Sequence, residues 1–326
     1  MKAAITPKYG PANVLQTRNV PRPSIGPNGV LVEVHASAVT AGDLRLRAAD
    51  FPSFTSVFGR LLLGVLRPRN AVQGTMFAGR VIEVGSAVTR FTVGSDVFGS
   101  ASKGAYAEYI AMSEGGALAK KPTNLSYEQA AAAPYGAITA MRILRDVATV
   151  RRGDEVLIVG ASGGVGRFAV QLAKHLGANV TAVCGRKSFD LVRSLGADNV
   201  IDRDQHFLQG GRKWDVIFDT AGATTFSLSE PALTRNGRYT TLHISLALLF
   251  HLAATSLVRG PKAKFAIVVP KREDLEELRQ LSEAGIVRPM VRELFPLDRI
   301  AEAHSLAERD RSHGMVIVTP VAHPLA

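Results

Sequence analysis

The segment that decides the fold is residues 156–185, VLIVGASGGVGRFAVQLAKHLGANVTAVCG. An apolar run at 156–159 leads into a glycine-rich turn, and a second apolar run covers 180–184. Between them the apolar residues have helical spacing, with Val165, Phe168, Ala169, Leu172 and Leu176 on one face. Gly177 stands where such a helix would end. This order of elements predicts a βαβ unit.

The turn of this unit contains three glycines at intervals of three residues, which is a variant of the dinucleotide-binding fingerprint. Glycine at such positions allows a tight turn, close approach of the backbone to phosphate and close contact between helix and strand. The free amides and the dipole of the helix would face the pyrophosphate. We therefore expect the cofactor to be bound by Gly160, Ser162, Gly163, Gly164, Val165 and Gly166.

The same turn also fits G-x-S-x-G, the nucleophile elbow of serine hydrolases, with Ser162 as the nucleophile. Asp219 and His243 follow in the order that such hydrolases use. The nucleotide interpretation is favoured, because a phosphate needs the additional glycines and an elbow does not need all of them. A serine hydrolase remains the alternative.

The end of the second predicted strand indicates which nucleotide binds. An NAD site usually has Asp or Glu there, about 20 residues after the turn, to bind the ribose hydroxyls. Here the sequence is C-G-R-K-S over 184–188, with no acid. Arg186, Lys187 and Ser188 suit a 2′-phosphate, because two positive charges and a hydroxyl can donate several hydrogen bonds to its oxygens. Arg203 adds a further cation after the third strand. We predict NADPH, bound by Arg186, Lys187, Ser188 and Arg203, against the alternative that the first two are solvated loop charges.

The composition sets broader limits. A chain of 326 residues predicts two domains, and 46% hydrophobic residues suffice for full cores. The formal charge of +11 permits nucleic-acid or membrane contacts, but no Lys/Arg run exceeds two residues, which favours diffuse surface charge. A single cysteine, Cys184, excludes an internal disulfide and a multi-cysteine metal site. Residues 1–20 lack the apolar core of a signal peptide, so we expect a cytoplasmic protein. The apolar stretch 242–258 contains two histidines, which argues against a membrane span.

The rest of the chain predicts an α/β fold with two parts. Residues 1–120 are strand-rich, with alternating residues at 30–35 and further strands at 79–84 and 105–111. Residues 54–69 are expected to form a lid or pocket wall, or else plain core. A helix is predicted at 126–147, with its Ala-rich turn broken by Pro134 and Gly136. Later segments alternate between strand and helix, which predicts six strands in a doubly wound parallel sheet. The first two strands are the apolar runs 156–159 and 180–184, and the other four are predicted at 199–202, 216–219, 238–242 and 264–269. The tail adds helices at 274–284 and 297–307 and strands at 287–294 and 315–319.

Several motifs in order give the chain a family resemblance. They include FAGRVIEVG at 77–85, GSDVFG at 94–99, GAYAE at 104–108 and SLGADNVID at 194–202. With the nucleotide unit, they resemble the medium-chain dehydrogenase/reductase superfamily, in its zinc-independent quinone-oxidoreductase (zeta-crystallin-like) branch. The resemblance covers nearly the whole chain. It implies a GroES-like β-rich domain at 1–122 and 286–326, a Rossmann domain at 123–285, a cleft between them and a homodimer.

The resemblance also bears on zinc. Zinc-dependent members have a cysteine at the position of Thr40 and a His-Glu pair at the positions of Thr75 and Met76. Threonine and methionine do not form a plausible zinc ligand set. The implied reaction is hydride transfer from NADPH to an acceptor that is already electrophilic, which means a quinone or an activated alkene.

The resemblance assigns roles near the nicotinamide. Thr40 occupies a position that is usually Asn in this branch, close to nicotinamide and substrate. Asp43 matches an acid that we expect to be a structural hydrogen-bonding residue, and Thr139 matches a threonine near the nicotinamide. Further packing or main-chain contacts to this half of the cofactor are expected from Leu242, His243, Ile244, Ala266, Ile267 and Val268.

The sequence offers two candidates for the proton donor. Related enoyl-thioester reductases use a tyrosine that aligns with Phe51, which cannot donate a proton. Tyr135 and His243 are the substitute donors, and a buried structural histidine is the alternative for the second. A third functional hypothesis is a non-catalytic NADPH- or RNA-binding protein, because some zeta-crystallin-like proteins bind RNA and the +11 charge permits it.

Overall fold

The structure is a computed structural model that describes residues 1–50, 64, 67–69, 71–309 and 314–321. Phe51 and most of the predicted pocket wall at 54–69 lie outside the described residues. The chain forms two compact units: Met1–Tyr135 with Pro270–Ala326, and Gly136–Val269.

Fifteen strands are described: β1 (Lys2–Ile5), β2 (Gln16–Asn19), β3 (Gly29–Val39), β4 (Met76–Val84), β5 (Asp96–Ser100), β6 (Tyr109–Ser113), β7 (Leu118–Lys120), β8 (Glu155–Val159), β9 (Asn179–Cys184), β10 (Asn199–Asp202), β11 (Trp214–Asp219), β12 (Leu233–Thr241), β13 (Lys262–Lys264), β14 (Val291–Pro296) and β15 (Met315–Thr319). The described α-helices are α1 (Ala41–Ala48), α2 (Tyr127–Ala132), α3 (Pro134–Arg142), α4 (Gly166–His175), α5 (Phe189–Ser194), α6 (Phe226–Ser229), α7 (Leu246–Leu257), α8 (Arg272–Glu283) and α9 (Ile300–Arg309).

The first unit is built on a mostly antiparallel sheet. Its strand order is β14-β15-β3-β4-β5-β7, with β6 also paired to β3. Val30, Val32 and Val34 are fully buried among Phe77 and neighbouring apolar residues, as the alternating pattern predicted. Leu31 on the opposite face is buried as well, since α2 packs against β3 and β4. The long β3 is therefore covered on both faces, which alternation alone did not indicate.

The second unit contains a six-stranded parallel sheet in the order β10-β9-β8-β11-β12-β13. This confirms the predicted doubly wound sheet and its six strands. The predicted position of the last strand was wrong, because β13 covers Lys262–Lys264 and residues 266–268 follow it. An apolar run indicated a buried strand there, but Ile267 is 80% exposed and Val269 is 67% exposed.

The predicted helix at 126–147 is divided into three parts. Ser126 caps α2, Pro134 begins α3, and a π-helical turn covers Ile143–Val147. Most of the apolar stretch 242–258 lies in α7, which covers Leu246–Leu257. Among the described residues, no helix has both the length and the apolar character to cross a bilayer.

Candidate active site

The predicted phosphate-binding turn connects β8 to α4 in the second unit. The amides of Gly160 and Ala161 both donate to the carbonyl of Val183, at 3.0 Å, and the amide of Gly163 donates to Gly160 at 2.9 Å. Within the described residues, no hydrogen bond is made by the amides of Ser162, Gly164, Val165 and Gly166. These donors lie at the start of a helix, where the dipole adds partial positive charge. The turn therefore has the donors that a pyrophosphate requires.

Two glycines of this turn are required by its geometry. Gly160 has a φ of +79°, and a Cβ atom there would lie 2.8 Å from Thr220 Oγ1. A Cβ atom on Gly166 would lie only 2.2 Å from the carbonyl oxygen of Gly160. α3 also approaches the turn, because a Cβ atom on Gly136 would lie 2.3 Å from the carbonyl oxygen of Gly164. Thr139 is half-buried on the same face of α3, three residues after Gly136.

The predicted 2′-phosphate site lies at the carboxyl ends of β9 and β10. Arg186 and Lys187 are exposed, Ser188 is buried, and the guanidinium of Arg203 lies against Gly185. A Cβ atom on Gly185 would be 3.6 Å from Cζ of that guanidinium. The cations expected at this site are therefore neighbours in the fold.

Asp202 is a residue of this site that the sequence interpretation missed. Its carboxylate accepts a hydrogen bond from Nε of Arg186 at 2.5 Å, and the residue is 5% exposed. This hydrogen bond holds the pKa of Asp202 below its ordinary value and raises the pKa of Arg186. The parallel register pairs Asp202 with Cys184, so the acid stands beside the end of β9 although it comes from β10. The terminal nitrogens of Arg186 make no hydrogen bond to any described residue.

The first unit contributes a buried polar centre at the start of α1. The Thr40 hydroxyl accepts from the Asp43 amide at 3.1 Å and the Asp43 carboxylate accepts from the Thr40 amide at 2.9 Å, which forms a capping box. The same hydroxyl donates to Oδ2 of Asp43 at 2.6 Å. Thr75 donates to Oδ1 of the same carboxylate at 3.1 Å. Burial raises the pKa of Asp43, and the hydrogen bonds from both threonines oppose that rise. Both Thr40 and Asp43 are fully buried, so the Thr40 hydroxyl is engaged within the chain.

Tyr135 lies beside this centre. A Cβ atom on Gly42 would be 3.4 Å from Oγ1 of Thr40 and 3.6 Å from Cε2 of Tyr135. Tyr135 is half-buried. The structure therefore brings Thr40 and Tyr135, two of the candidate catalytic residues, to the same end of α1.

A second buried polar group holds the other end of α1. Arg47 is 1% exposed and contacts the carbonyl of Gly10, Nδ1 of His304 at 3.2 Å, and the carboxylate of Glu308. Burial and the charge of Arg47 lower the pKa of His304 to about 3. Arg47 thus connects α1 to α9 through a histidine that stays neutral at ordinary pH.

His243 lies in the second unit, after β12. A Cβ atom on Gly222 would be 2.9 Å from the His243 ring, so the ring packs on the loop that follows β11. Asp219 fixes that loop, because its carboxylate accepts from the amides of Ala221, Gly222 and Thr224 at 2.9–3.0 Å. In the part of the chain that is described, no hydrogen bond joins Ser162 to a histidine. The geometry of a Ser-His-Asp triad is therefore not supported.

The expected contacts at 242–244 and 266–268 follow β12 and β13 at the carboxyl edge of the sheet. This is the edge at which ligands bind in such folds. All six residues are half-buried except Ile267, which is exposed.

The residues at the positions of the zinc ligands do not fit the metal. Thr40 and Thr75 both donate to Asp43, and Met76 is buried at the start of β4. Among the described residues there is no group of three His, Cys, Asp or Glu side chains that could hold a metal ion. The two threonine hydroxyls are engaged in hydrogen bonds to Asp43, and hydroxyl and thioether groups are not the ligands that zinc uses in proteins.

Comparisons with known proteins agree with this architecture. A family model described as "Alcohol dehydrogenase GroES-like domain" matches residues 26–123, and one described as "Zinc-binding dehydrogenase" matches 195–318. The chain is 31% identical to the human mitochondrial "NAD(P)H oxidoreductase RTN4IP1", over 98% of this chain and 89% of that protein. It is 32% identical to a chloroplastic "NADPH-dependent alkenal/one oxidoreductase" from Arabidopsis thaliana, over 98% and 80% respectively. The structure of a quinone oxidoreductase from Coxiella burnetii superposes with a TM-score of 0.86 at 28% identity, covering 98% of this chain and 99% of that one.

Proposed function

Because the chain belongs to the medium-chain dehydrogenase/reductase superfamily, in its quinone-oxidoreductase branch, we propose that it reduces quinones or activated alkenes with NADPH and without a metal ion. The observation that carries the proposal is the phosphate-binding turn, with its unbonded amides at the start of α4. Relatives described as an alkenal/one oxidoreductase and a quinone oxidoreductase support the class of acceptor.

NADPH is favoured over NADH by the cations at the ends of β9 and β10. Arg186 is held by Asp202 through Nε, which leaves its two terminal nitrogens for a phosphate. Guanidinium groups bind phosphate with paired, charge-assisted hydrogen bonds. Lys187 and Arg203 add positive charge at the same place.

When bound, the cofactor supplies a hydride to the electrophilic carbon of the acceptor, which then needs one proton. The amides of the turn would hold the pyrophosphate, and Thr139 would lie near the nicotinamide. We assign Thr40 a positioning part in catalysis, because its buried hydroxyl is bonded to Asp43 at the start of α1. Tyr135 and His243 are the proposed proton donors.

The donors can be tested by comparing two kinds of acceptor. A reduced quinone takes its proton readily from water, whereas an enone needs protonation to complete the reaction. Tyr135→Phe or His243→Gln should therefore lower kcat for an enone by roughly 100-fold while changing quinone reduction little. Tyr109→Phe is a matched control, since Tyr109 is also half-buried but lies on β6 beneath Arg22. Equal losses with both acceptors would remove the proton-donor assignment.

The first experiment on the function as a whole is cofactor consumption by the purified, chelator-treated protein. NADPH and NADH would each be supplied with a panel of quinones and α,β-unsaturated carbonyls. We expect faster turnover with NADPH and no effect of the chelator. Loss of activity on chelation, or activity confined to NADH, would contradict the proposal.

We further propose that the protein is a homodimer. α7 contains no charged residue, yet it exposes Leu246, Leu249, Phe250 and Leu257, with exposed fractions of 65%, 40%, 68% and 88%. Their spacing places them along one face, and an apolar patch of this kind on a folded chain marks an interaction surface. β13 is the edge strand of the sheet next to α7. A two-fold axis near that edge would cover both the apolar face of α7 and the open edge of β13.

A further inference from the structure

Arg167 is a buried cation without a counter-charge in the second unit. It is the second residue of α4 and is 2% exposed. Among the described residues, none forms a hydrogen bond or an ion pair with its guanidinium. Burial lowers the pKa of Arg167 to about 10, and no carboxylate of the described residues opposes that shift. A buried charge is costly unless it is paired, so we expect an anion to bind beside it.

Arg47, the other buried arginine of the described residues, has the partners that Arg167 lacks. Arg47 is 1% exposed, and its guanidinium contacts the carbonyl of Gly10, Nδ1 of His304 and the carboxylate of Glu308. A structural role within the fold therefore explains the burial of Arg47. No such role explains the burial of Arg167.

The position of Arg167 on α4 directs its side chain toward the phosphate-binding turn. Its amide donates to the carbonyl of Gly163 at 3.1 Å, so Arg167 lies one helical turn after that glycine. Side chains on a helix lean toward its N-terminus and cover the preceding turn. Gln171 occupies the other side, because it is buried and its side-chain amide donates to the Arg167 carbonyl at 3.1 Å. Gly163 and Gly164 have no side chains that could separate the guanidinium from the unbonded amides of the turn.

The guanidinium keeps an edge that a ligand can reach. Nη1 is fully buried, whereas Nε and Nη2 also lack partners among the described residues but retain some accessible surface. Nε and Nη2 point in the same direction, and guanidinium groups bind phosphate oxygens through such paired donors. The positive charge adds to that of the helix dipole at the same end of α4.

We propose that Arg167 binds the pyrophosphate of the cofactor, together with the unbonded amides of the turn. The proposal rests on the proposed function, because it takes the ligand to be a nicotinamide dinucleotide. The glycine fingerprint describes only the backbone part of such a site, and Arg167 adds a charged side chain to it. NADPH and NADH share the pyrophosphate, so Arg167 should serve both cofactors, whereas Arg186 should serve NADPH alone.

The test is titration of NADPH and NADH, followed by the fluorescence of each cofactor. Arg167→Met keeps an unbranched side chain but removes the charge and the donors. It should weaken binding of both cofactors about 10- to 100-fold, as expected for a lost charge-assisted contact, and keep the ratio of the two affinities within about twofold. Unchanged affinities, or a loss confined to NADPH, would overturn the proposal.

Lys174→Met is the matched control. Lys174 lies two turns further along the same face of α4, is exposed, and is paired with Asp198 at 2.5 Å. This variant removes the same charge from the same helix, so it should leave both affinities unchanged. A loss equal to that of Arg167→Met would show an effect of net charge alone and would overturn the proposal.

A stability measurement separates binding from a structural role. Arg167→Met should keep or raise the Tm of the protein without cofactor, because an apolar side chain replaces an unpaired buried charge. It should also reduce the increase in Tm that NADPH produces. A lowered Tm without cofactor, combined with an undiminished increase on adding NADPH, would overturn the proposal by showing that the guanidinium is satisfied within the fold. Arg167→Lys keeps the charge and should lose less affinity than Arg167→Met; equal losses would also overturn it.

The failure of this proposal can be distinguished from that of the reductase function. ADP carries a diphosphate but no nicotinamide, so its binding, measured by calorimetry, tests Arg167 without turnover. NADPH consumption by the unaltered protein with a quinone tests the reductase function. Weaker ADP binding to Arg167→Met without turnover by the unaltered protein would contradict the reductase function alone. Turnover combined with equal ADP binding to both proteins would contradict the role of Arg167 alone.

Discussion

The most direct test of the cofactor assignment is Arg186→Gln. The side chain donates through Nε to Asp202, which leaves its terminal nitrogens for the proposed contact with the 2′-phosphate. Glutamine keeps enough length to donate to Asp202 but removes the charge and the paired donors. The variant therefore isolates the contact with phosphate without exposing the acid.

The size of the effect follows from the local charges. Arg186, Lys187 and Arg203 are three cations, and Asp202 and Asp204 are two carboxylates, so the site has a net charge of +1 that falls to zero in the variant. Because the arginine side chain is 79% exposed, solvent screens the lost contact, and we expect NADPH to bind about tenfold more weakly. NADH lacks the 2′-phosphate, so its Kd should change less than about twofold.

The assay is titration of each reduced cofactor, followed by its own fluorescence at two salt concentrations. Arg212→Gln is the control, since Arg212 is an exposed arginine paired with Glu155 at 2.7 Å at the opposite, amino edge of the sheet. It should leave both affinities unchanged. Equal weakening of NADPH and NADH by Arg186→Gln, or the same loss in the control, would refute the assignment of the 2′-phosphate to this site.

Three other changes test separate parts of the structure. Gly166→Ala should abolish binding of both NADPH and NADH in the same titration, because its Cβ atom would lie 2.2 Å from the carbonyl oxygen of Gly160. Gly163→Ala should reduce binding less, because its Cβ atom would lie 3.1 Å from that oxygen. His304 has a pKa of about 3 in the folded state, below its unfolded value near 6.5, so its contribution to folding stability is present above pH 6.5 and is lost as the pH falls. Urea unfolding should therefore show a free energy of unfolding about 2 kcal/mol lower at pH 5 than at pH 7.5. His304→Gln should remove this component of the pH dependence. Phe250→Asp should convert the proposed dimer to a monomer in light scattering, and an unchanged mass would remove α7 from the interface.

The parts of the fold that were predictable depend on local pattern. The apolar runs and helical spacing of 156–185 predicted β8, α4 and β9, because each element buries its own residues in a periodic way. α1 was missed, although the spacing of Thr40 and Asp43 is a capping-box signal. Its eight residues carry no apolar stripe, and it is held instead by the buried Arg47.

The site residues that were missed depend on partners distant in sequence. Arg47 contacts His304, which is 257 residues away, so no local pattern connects them. Asp202 is 16 residues from Arg186 and becomes its partner through the register of two parallel strands. That register was open to inference once both strands were assigned, because parallel strands align their carboxyl ends.

Under the proposed function, we expect the centre at the start of α1 to restrict the acceptors that this protein reduces. In a zinc enzyme, a cation at this position would polarise a carbonyl, but here Thr40 and Thr75 direct their protons to Asp43. Asp43 is fully buried, and burial raises its pKa, so this centre provides a carboxyl group and no positive charge. We therefore expect the acceptor to be electrophilic before it binds, which quinones and enones are and simple ketones are not. Turnover of cyclohexanone with NADPH at a rate close to that of cyclohexenone would contradict this argument.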